Sequence, residues 1–557
     1  MEGAKMERKI TFTQAMWLFS LVVLLVTIAY PLVALIYKSL FGEKGFGYAY
    51  KVIASDPNTW VYTLNTLKLA VIVTFFAVII GVPLAFLVVR TNLPGRKVVR
   101  FLAVLPFILP PYVSAIAWIQ LAAPYVGYIN RIWNGLGGSG NIVNIYSFPG
   151  LVLVMTLKFY VYVFLTVAAA LEQMDPSLEE AARMSGSGPF KVAKDITIPL
   201  VMPSIASGAL LAFVATCANF GIPALIGDRA HYYVLTTRIY STLSIPDIDR
   251  AIAYSLILVI ITGLALLIQK RSFGQKRYTT LTGKTVRPAV IALGRRKGLV
   301  ALFVFLFLAL TSVIPLFSLF FSAFLKNLYS PLTSLSSFTL SNFKFVLMED
   351  ETTTAALKTS VFSAFTASTI VTLFGALLAY MIVKTNVKGR LFMDWLSSVP
   401  YALPGTVVGV AIILAFIKTP IFNTLWIIPF AYFIRYLSYG VRTTVGSLLQ
   451  IDRTLEEASL MCGANWLTTM KNIVLPLIKP GLIAAWILVF MPTLSELTVS
   501  IIIYPPNHPT IGVATYNLME EGQYTAAYAL SAVVAVVVIL VQLAVNKITG
   551  KIGARGL

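Results

Sequence analysis

Long blocks of hydrophobic residues, separated by shorter polar segments, run through the whole chain. About 20 apolar residues in a row cross the hydrocarbon core of a bilayer as a helix. The pattern therefore predicts an all-α polytopic membrane protein with about twelve transmembrane helices. Six are expected at 16–38, 61–89, 100–122, 149–170, 200–226 and 251–269, and six more at 298–324, 360–383, 392–417, 424–446, 478–503 and 524–546.

Composition and charge agree with this class. Hydrophobic residues make up 58% of the chain and charged residues only 12%, whereas a soluble domain carries about 25% charged residues. The net charge of +21 would suit a nucleic-acid-binding protein. If the N-terminus is placed in the cytoplasm, however, 28 of the 43 Lys and Arg residues fall in cytoplasmic segments and 10 fall in outside segments. Short cytoplasmic loops are enriched in Lys and Arg. The charge therefore indicates a topology with both termini in the cytoplasm, in contact with membrane lipid and with no nucleic-acid partner.

The N-terminal segment is short and basic, and an apolar run follows from Met16 to about Tyr37. A signal peptide has an apolar region of only about 7–15 residues. We therefore expect a first spanning helix and not a cleaved leader. The two cysteines, Cys217 and Cys462, are expected in a span and in a cytoplasmic loop, so a disulfide between them is not predicted.

The second half of the chain repeats the first. Residues 294 positions apart match at 90–96 (RTNLPGR) and 384–390 (KTNVKGR), and again at Pro106 and Pro110 with Pro400 and Pro404. Residues 277 positions apart match at 171–186 and 448–463. The difference indicates 17 extra residues in the first half, which we assign to the Gly-rich outside loop at 134–141.

Six spans per half give the two halves the same orientation, so they should be related by an axis along the membrane normal. We divide the chain into a first half at 1–270, a basic cytoplasmic linker at 271–297 and a second half at 298–557.

Each half carries one cytoplasmic loop of the form E-A-[AS]-x3-G-x9-I-x-[IL]-P. The small residues would let another surface approach closely, the Gly suits a sharp turn, and the Pro marks a boundary before the next span. A helix, a turn and a second short helix are therefore predicted on the membrane face. The residues are Glu180, Ala181, Ala182, Gly186 and Pro199 in the first copy, and Glu457, Ala458, Ser459, Gly463 and Pro476 in the second.

A simpler role for the two glutamates is helix capping. Ser177 stands three residues before Glu180, and Thr454 stands three residues before Glu457. Both pairs have the spacing of a capping box, in which the Glu closes a helix N-terminus. Capping would not explain the Gly and Pro at fixed distances, nor their recurrence in the second half.

This motif resembles the EAA loop of the permeases of binding-protein-dependent ABC importers, and the resemblance covers nearly the whole chain. In that family the loop forms a coupling helix that sits in a groove of the ATPase subunit. The resemblance implies two cytoplasmic ATPase subunits, an extracytoplasmic substrate-binding protein and transport by alternating access in the cytoplasmic (inner) membrane of a bacterium or archaeon. Ser459 stands where the family pattern prefers Ala, which is a small-for-small change.

Within the family, residues 219–243 and 495–531 are most similar to the fused permeases of the ferric-iron importer type. This similarity implies ferric iron as the substrate. Phosphonates, sugar phosphates, thiamine and polyamines remain alternatives, because similar permeases move them.

The chain encodes no ATPase that its motifs reveal. A P-loop needs G-x4-G-K-[ST] after a strand, and the only candidate, TGKT at 282–285, has Tyr278 in the place of the first Gly. We therefore expect no enzymatic activity, no metal site and no cofactor bound by this chain, with ATP and Mg held by the partner subunits. The outside loops are also too short to form a substrate-capture domain.

Four polar positions inside predicted spans need an explanation, because a charge at the centre of a span costs about 2.5–3.5 kcal/mol. Lys158 and Arg435 are repeat equivalents, and so are Asn219 and Glu496. One interpretation is a polar lining of the translocation path. The other is a buried ion pair, such as Arg435 with Glu496, that holds helices together.

Two other classes of protein are alternatives for the whole chain. A secondary transporter of the six-plus-six type, driven by an ion gradient, would share the span count and the repeat but gives no reason for two EAA loops. A membrane-bound enzyme would need a catalytic cluster, and the sequence offers none.

Overall fold

The computed structural model describes residues 14–42, 44–175, 177–245, 247–273, 290–331 and 334–552. Both predicted cytoplasmic termini, at 1–13 and 553–557, and most of the predicted linker, at 274–289, lie outside the described residues. The described chain is almost entirely helical, with one hairpin of two-residue strands, β1 (Phe41–Gly42) and β2 (Gly45–Phe46).

The described part of the first half contains eleven helices besides one short helical turn. They are α1 (Gln14–Leu40), α2 (Tyr48–Ser55), α3 (Pro57–Arg90), α4 (Arg96–Ile108), α5 (Pro111–Ala122), α6 (Tyr128–Gly135), α7 (Phe148–Gln173), α8 (Ser177–Met184), α9 (Phe190–Ala218), α10 (Leu235–Ser244) and α11 (Ile248–Phe273).

The second half repeats this order. Its main helices are α12 (Gly294–Ala323), α13 (Glu351–Lys384), α14 (Arg390–Ala402), α15 (Gly405–Phe416), α16 (Ile427–Leu448), α17 (Arg453–Met461), α18 (Trp466–Leu494), α19 (Ser500–Ile503), α20 (Ile511–Glu520) and α21 (Tyr524–Ile552). Short helical turns also occur at Pro223–Gly227, Leu335–Ser337, Ser341–Lys344 and Phe345–Glu349.

The prediction of an all-α polytopic fold is confirmed. Within the described residues, nine helices are long and apolar enough to cross a membrane, and two bent helix pairs pass the same test together. The tenth predicted span corresponds to α16, which carries Arg435 and Arg442 and is not among the helices that pass this test. Each of the twelve predicted segments thus has a helical counterpart.

The third and ninth predicted spans are not continuous helices, contrary to expectation. Helices α4 and α5 meet at an angle of 102°, and α14 and α15 meet at 114°. Pro110 and Pro404 stand at the two breaks, each with extended backbone. Because Pro has no N–H and its ring clashes with the preceding turn, the helix ends there and a new one starts in another direction.

The fifth and eleventh predicted spans begin earlier than expected. The motif prolines Pro199 and Pro476 do not start new helices, because α9 and α18 already run from residues 190 and 466. One π-turn precedes each Pro, at Ala193–Thr197 and Met470–Val474. A π-turn inside a helix shifts the hydrogen-bond ladder by one residue, which lets the helix pass the Pro without ending.

The internal repeat is visible in the helix bounds. Helix α13 begins and ends 294 positions after α3 does, and α14 begins and ends 294 positions after α4 does. From α7 and α16 onward the offset becomes about 277. The 17 extra residues of the first half therefore lie between the bent pair and α7, a region that contains α6.

The two halves are interlocked through their first helices. Helix α1 packs on α14 and α15 of the second half, and Tyr30 donates a hydrogen bond to the carbonyl of Ala415 at 3.2 Å. In the same way α12 packs on α5 and on α21, with the Ser318 hydroxyl near the carbonyl of Ala117 at 3.4 Å. Each half therefore completes the apolar core of the other.

Candidate functional site

Each predicted cytoplasmic loop folds as a short helix, a tight turn and the start of a long helix. Helix α8 leads through Gly186 into α9, and α17 leads through Gly463 into α18. The two glycines have φ values of +83° and +82°, a region that side chains with a Cβ rarely adopt. After the first short helix, the backbone N–H of Ser187 donates to the carbonyl of Ala182 at 3.0 Å. After the second, the N–H of Ala464 donates to the carbonyl of Ser459 at 3.2 Å, so both helices close in the same way. The turn predicted at each Gly is therefore present.

The two motif glutamates are not helix caps. Asp175 accepts the N–H of Ser177 at 2.9 Å, and Asp452 accepts the N–H of Thr454 at 3.1 Å. Because these aspartates, 277 positions apart, cap the helices, the proposed capping boxes are wrong. Glu180 and Glu457 instead point out from the surface as exposed residues.

The neighbouring glutamates have a structural role that sequence reasoning missed. Glu179 lies 2.7 Å from the guanidinium of Arg90 at the end of α3, and it also accepts the hydroxyl of Thr197 at 2.6 Å. Both side chains of the ion pair are buried, with 0% and 1% exposure. The pair joins the start of this predicted cytoplasmic loop to the C-terminal end of α3.

The second half has the equivalent contact in a weaker form. Lys384, the repeat equivalent of Arg90, lies 2.8 Å from Glu456 at the start of α17. Glu456 is 16% exposed, and Lys384 also donates to the carbonyl of Ile451 at 2.9 Å. A basic residue and two adjacent glutamates recur at the repeat offsets, which is a sequence signal for an ion pair in each half but does not tell Glu179 from Glu180.

Exposed apolar side chains also recur on the two loops. Leu178, Met184 and Phe190 are 51%, 91% and 82% exposed, and their equivalents 277 positions later are 46%, 88% and 66% exposed. These equivalents are Leu455, Met461 and Leu467. Each loop thus presents three apolar side chains around its turn.

The four polar positions inside the spans come together around one cavity. Its volume is about 400 Å³, and its lining includes Lys158, Asn219, Arg435 and Glu496. The walls come from both halves: the breaks of the two bent pairs, the ends of α9 and α18, and parts of α7, α16 and α21. The predicted polar residues therefore share one site at the boundary between the halves.

Lys158 stabilises the break between α4 and α5. Its ammonium donates to the carbonyl of Pro106 at 2.7 Å, to that of Phe107 at 3.2 Å and to that of Leu109. Pro110 and Pro111 have no N–H, so they cannot satisfy the carbonyls four residues earlier, which are those of Pro106 and Phe107. Lys158 supplies the donors that the two prolines lack.

Glu496 and Asn219 both cap the backbone that follows them. The Glu496 carboxylate accepts the N–H of Val499 at 2.9 Å and the N–H and hydroxyl of Ser500 at 3.0 and 2.8 Å. Asn219 accepts the N–H of Ile222 at 3.0 Å in the same relative position. Across the described chain, no salt bridge joins Glu496 to Arg435 or Lys158. The predicted Arg435–Glu496 ion pair is therefore not formed, because backbone amides take its place.

Arg435 occupies the break of the second bent pair. A Cβ placed on Gly405, the first residue of α15, would lie only 1.7 Å from Nη1 of Arg435. In the part of the chain that the structure describes, this Nη1 is buried and has no hydrogen-bond partner. Unlike its repeat equivalent Lys158, Arg435 does not bind the carbonyls of the break.

An aromatic cluster joins the two halves beside this cavity. Phe220, which lies between two lining residues, packs against Tyr240 with ring centroids 5.2 Å apart and against Tyr516 at 5.9 Å. The two tyrosines, one from α10 and one from α20, are 6.1 Å apart. Nearby, Arg229 of the first half donates to the carbonyl of Met519 in the second at 3.2 Å.

The fold and the repeated loops define a two-half membrane permease, and the comparison with known families agrees. The model of the family "Binding-protein-dependent transport system inner membrane component" matches residues 77–273 and 371–554. The chain belongs to this family, and it carries the family domain twice. It is thus the permease component of an ABC importer, which removes the ion-driven secondary transporter as an alternative.

Individual relatives include ferric and molybdenum permeases. The ferric transport system permease protein FbpB of Actinobacillus pleuropneumoniae is 28% identical over 546 residues, covering 94% of this chain and 76% of the relative. The molybdenum transport system permease protein ModB of Escherichia coli is 32% identical over 171 residues, covering 30% of this chain and 72% of the relative. One chain of a solved bacterial alginate ABC transporter, in complex with a periplasmic protein, overlays on 50% of this chain and 99% of its own, with a TM-score of 0.41 and 20% identity.

Proposed function

We propose that this permease imports ferric iron, delivered by an extracytoplasmic binding protein and driven by two ATPase subunits on the cytoplasmic side. ATP and Mg are held by those subunits, and this chain binds neither. The similarity to a ferric transport permease over 94% of the chain supports the cargo. Phosphonate, sugar phosphate, thiamine and polyamine are the alternative cargoes.

The two cytoplasmic loops are the docking sites for the ATPase subunits in this proposal. The observation that carries it is the pair of equivalent apolar surfaces around Gly186 and Gly463, in which Met184 and Met461 are about nine-tenths exposed. Apolar side chains that cluster on a soluble face mark sites of protein contact. The motif residues from Glu180 to Pro199, and those from Glu457 to Pro476, would position these surfaces.

The buried ion pairs would carry the movement of the loops into the membrane. Since Glu179 binds the end of α3 and Glu456 binds the end of α13, a shift of either loop would move the longest helix of that half. The helices around the cavity would then open to one side or the other. The charged residues of the cavity would line the path in this alternating-access scheme.

Introduction of a charge on each docking surface tests the assignment. Met184→Glu combined with Met461→Glu should abolish co-purification of the ATPase subunits, because a carboxylate would enter an apolar contact. Leu335→Glu, at a 90% exposed position in a predicted outside loop, is the matched control and should leave co-purification intact. Unchanged binding of the ATPase in the double variant would contradict the docking assignment.

Uptake of radiolabelled ferric iron into proteoliposomes that contain the permease, the ATPase and the binding protein tests the cargo. ATP-dependent uptake should occur without an ion gradient. The membrane orientation is tested by thiol labelling in cells after Cys462→Ser: Lys284→Cys should be protected from an impermeant reagent and His508→Cys should react. The reverse pattern would overturn the proposed cytoplasmic termini.

A further inference from the structure

Of the three charged side chains that line the central cavity in the described chain, two already have hydrogen-bond partners within the protein. The three protons of the Lys158 ammonium are donated to three carbonyls. The two oxygens of Glu496 accept two amides and one hydroxyl. Among these three, Arg435 alone has a buried donor, Nη1, with no hydrogen-bond partner among the described residues.

The charge of Arg435 is only partly compensated, by the Tyr436 ring, whose centroid lies 5.6 Å from the guanidinium carbon, and by Glu496, which lines the same cavity. Its guanidinium lies against Gly405 at the first turn of α15, where any side chain would collide with Nη1. A helix N-terminus carries a partial positive charge of about half a unit from its free N–H groups. Two positive groups thus converge at the cavity wall, an arrangement that an anion would stabilise.

A second helix N-terminus reaches the cavity from the other half. Helix α5 begins at Pro111, and Pro110, Pro111 and Tyr112 all line the cavity. The Tyr112 side chain is 1% exposed, and its hydroxyl lies near Thr515 without a well-formed hydrogen bond in the described part of the chain. Broken membrane helices in transporters commonly direct their half-helix N-termini at anionic groups of the substrate.

We propose that cargo passes through this cavity as an anion, with Arg435 and the N-termini of α5 and α15 binding its oxygen atoms. The inference rests on the proposed function for its cargo: iron would cross as a ferric complex that oxyanion ligands make negative overall. A bare ferric ion would meet two cationic side chains and one carboxylate whose oxygens are already occupied. Elsewhere in the described chain, no three His, Cys, Asp or Glu side chains come together to hold a metal ion.

Double-label transport tests this proposal in the complete importer. Proteoliposomes are supplied with radiolabelled iron together with either labelled citrate or labelled inorganic phosphate, and ATP-dependent uptake of both labels is counted. One of the two anions should enter with iron in a constant ratio. Arg435→Gln should lower uptake of both labels about tenfold or more, since a hydrogen bond to a charged group is worth that factor, whereas Arg435→Lys should retain part of it.

The matched control is Arg442→Gln on the same helix. Arg442 lies two turns further along α16, is half-exposed and pairs with Asp394 at the surface, so its loss should leave uptake unchanged. If Arg435→Gln fails to assemble with the ATPase, the ratio of the two labels taken up by the unmodified protein still shows whether an anion enters together with iron.

The outcomes separate the inference from the proposed cargo. Iron that enters without citrate or phosphate, or undiminished uptake in an assembled Arg435→Gln variant, would overturn the anionic cargo while leaving iron as the substrate. Uptake of labelled phosphate or molybdate without iron, blocked by Arg435→Gln, would overturn iron as the substrate and support the anionic cargo.

Discussion

The substitution Glu179→Gln should destabilise the protein clearly more than the equivalent substitution Glu456→Gln. Glutamine keeps the shape of the side chain and can still accept from Thr197, but it removes the charge that faces Arg90. With both partners at 0–1% exposure, the remaining guanidinium would be buried without a counter-charge, which costs about 3–5 kcal/mol.

The second half offers an internal comparison for this magnitude. Glu456 is 16% exposed, and Lys384 keeps a bond to the carbonyl of Ile451 when the carboxylate is lost. Loss of this pair should therefore cost only about 1–2 kcal/mol. The order of the two effects follows directly from the difference in burial.

The assay is thermal and denaturant-induced unfolding of the purified permease, together with protease sensitivity of the two loops. Glu180→Gln and Glu457→Gln make the same chemical change one residue later at exposed positions, and each should stay within about 0.5 kcal/mol of the parent. Equal losses for Glu179→Gln and Glu456→Gln, or losses no larger than those of the two controls, would refute the reasoning.

Three further results are expected. Gly186→Val should cost about 1–2 kcal/mol, because a β-branched residue would have to adopt positive φ, and it should uncouple ATP hydrolysis from uptake. Gly188→Val, at a position without positive φ and with open space around it, should leave both stability and coupling unchanged. Normal transport by Gly186→Val would contradict the assigned turn. Lys158→Met should lower the yield of folded protein, because three carbonyls lose their donor, and an unchanged melting temperature would show that the bend does not need the ammonium. Finally, transport should require the two halves to separate beside the cavity. A short thiol reagent that cross-links Tyr240→Cys to Tyr516→Cys should therefore block uptake until the link is cleaved. Uptake by the cross-linked protein would refute this.

The sequence by itself determined the class of fold and the family. Span count depends on the length of apolar blocks, and topology depends on where Lys and Arg are placed, so both are local properties of the chain. The two loops at 177–199 and 454–476 could be found because a turn that needs Gly leaves its mark in sequence, and because the repeat shows it twice. The four polar residues inside predicted spans could be identified as candidates for a site, because a polar side chain inside a membrane is costly and therefore indicates a specific role.

Tertiary structure alone decided what those polar residues contact. Sequence reasoning paired Arg435 with Glu496 because a buried charge calls for an opposite one, but the chain offers backbone groups instead: the amides after Glu496 and the carbonyls left free by Pro110 and Pro111. Which backbone groups become available depends on where a helix breaks and in which direction the next one leaves. The prolines mark the two breaks in the sequence, but the 102° and 114° angles are seen only in the tertiary structure. For the same reason the burial of Glu179, and not Glu180, could not be told from a motif in which the two stand side by side.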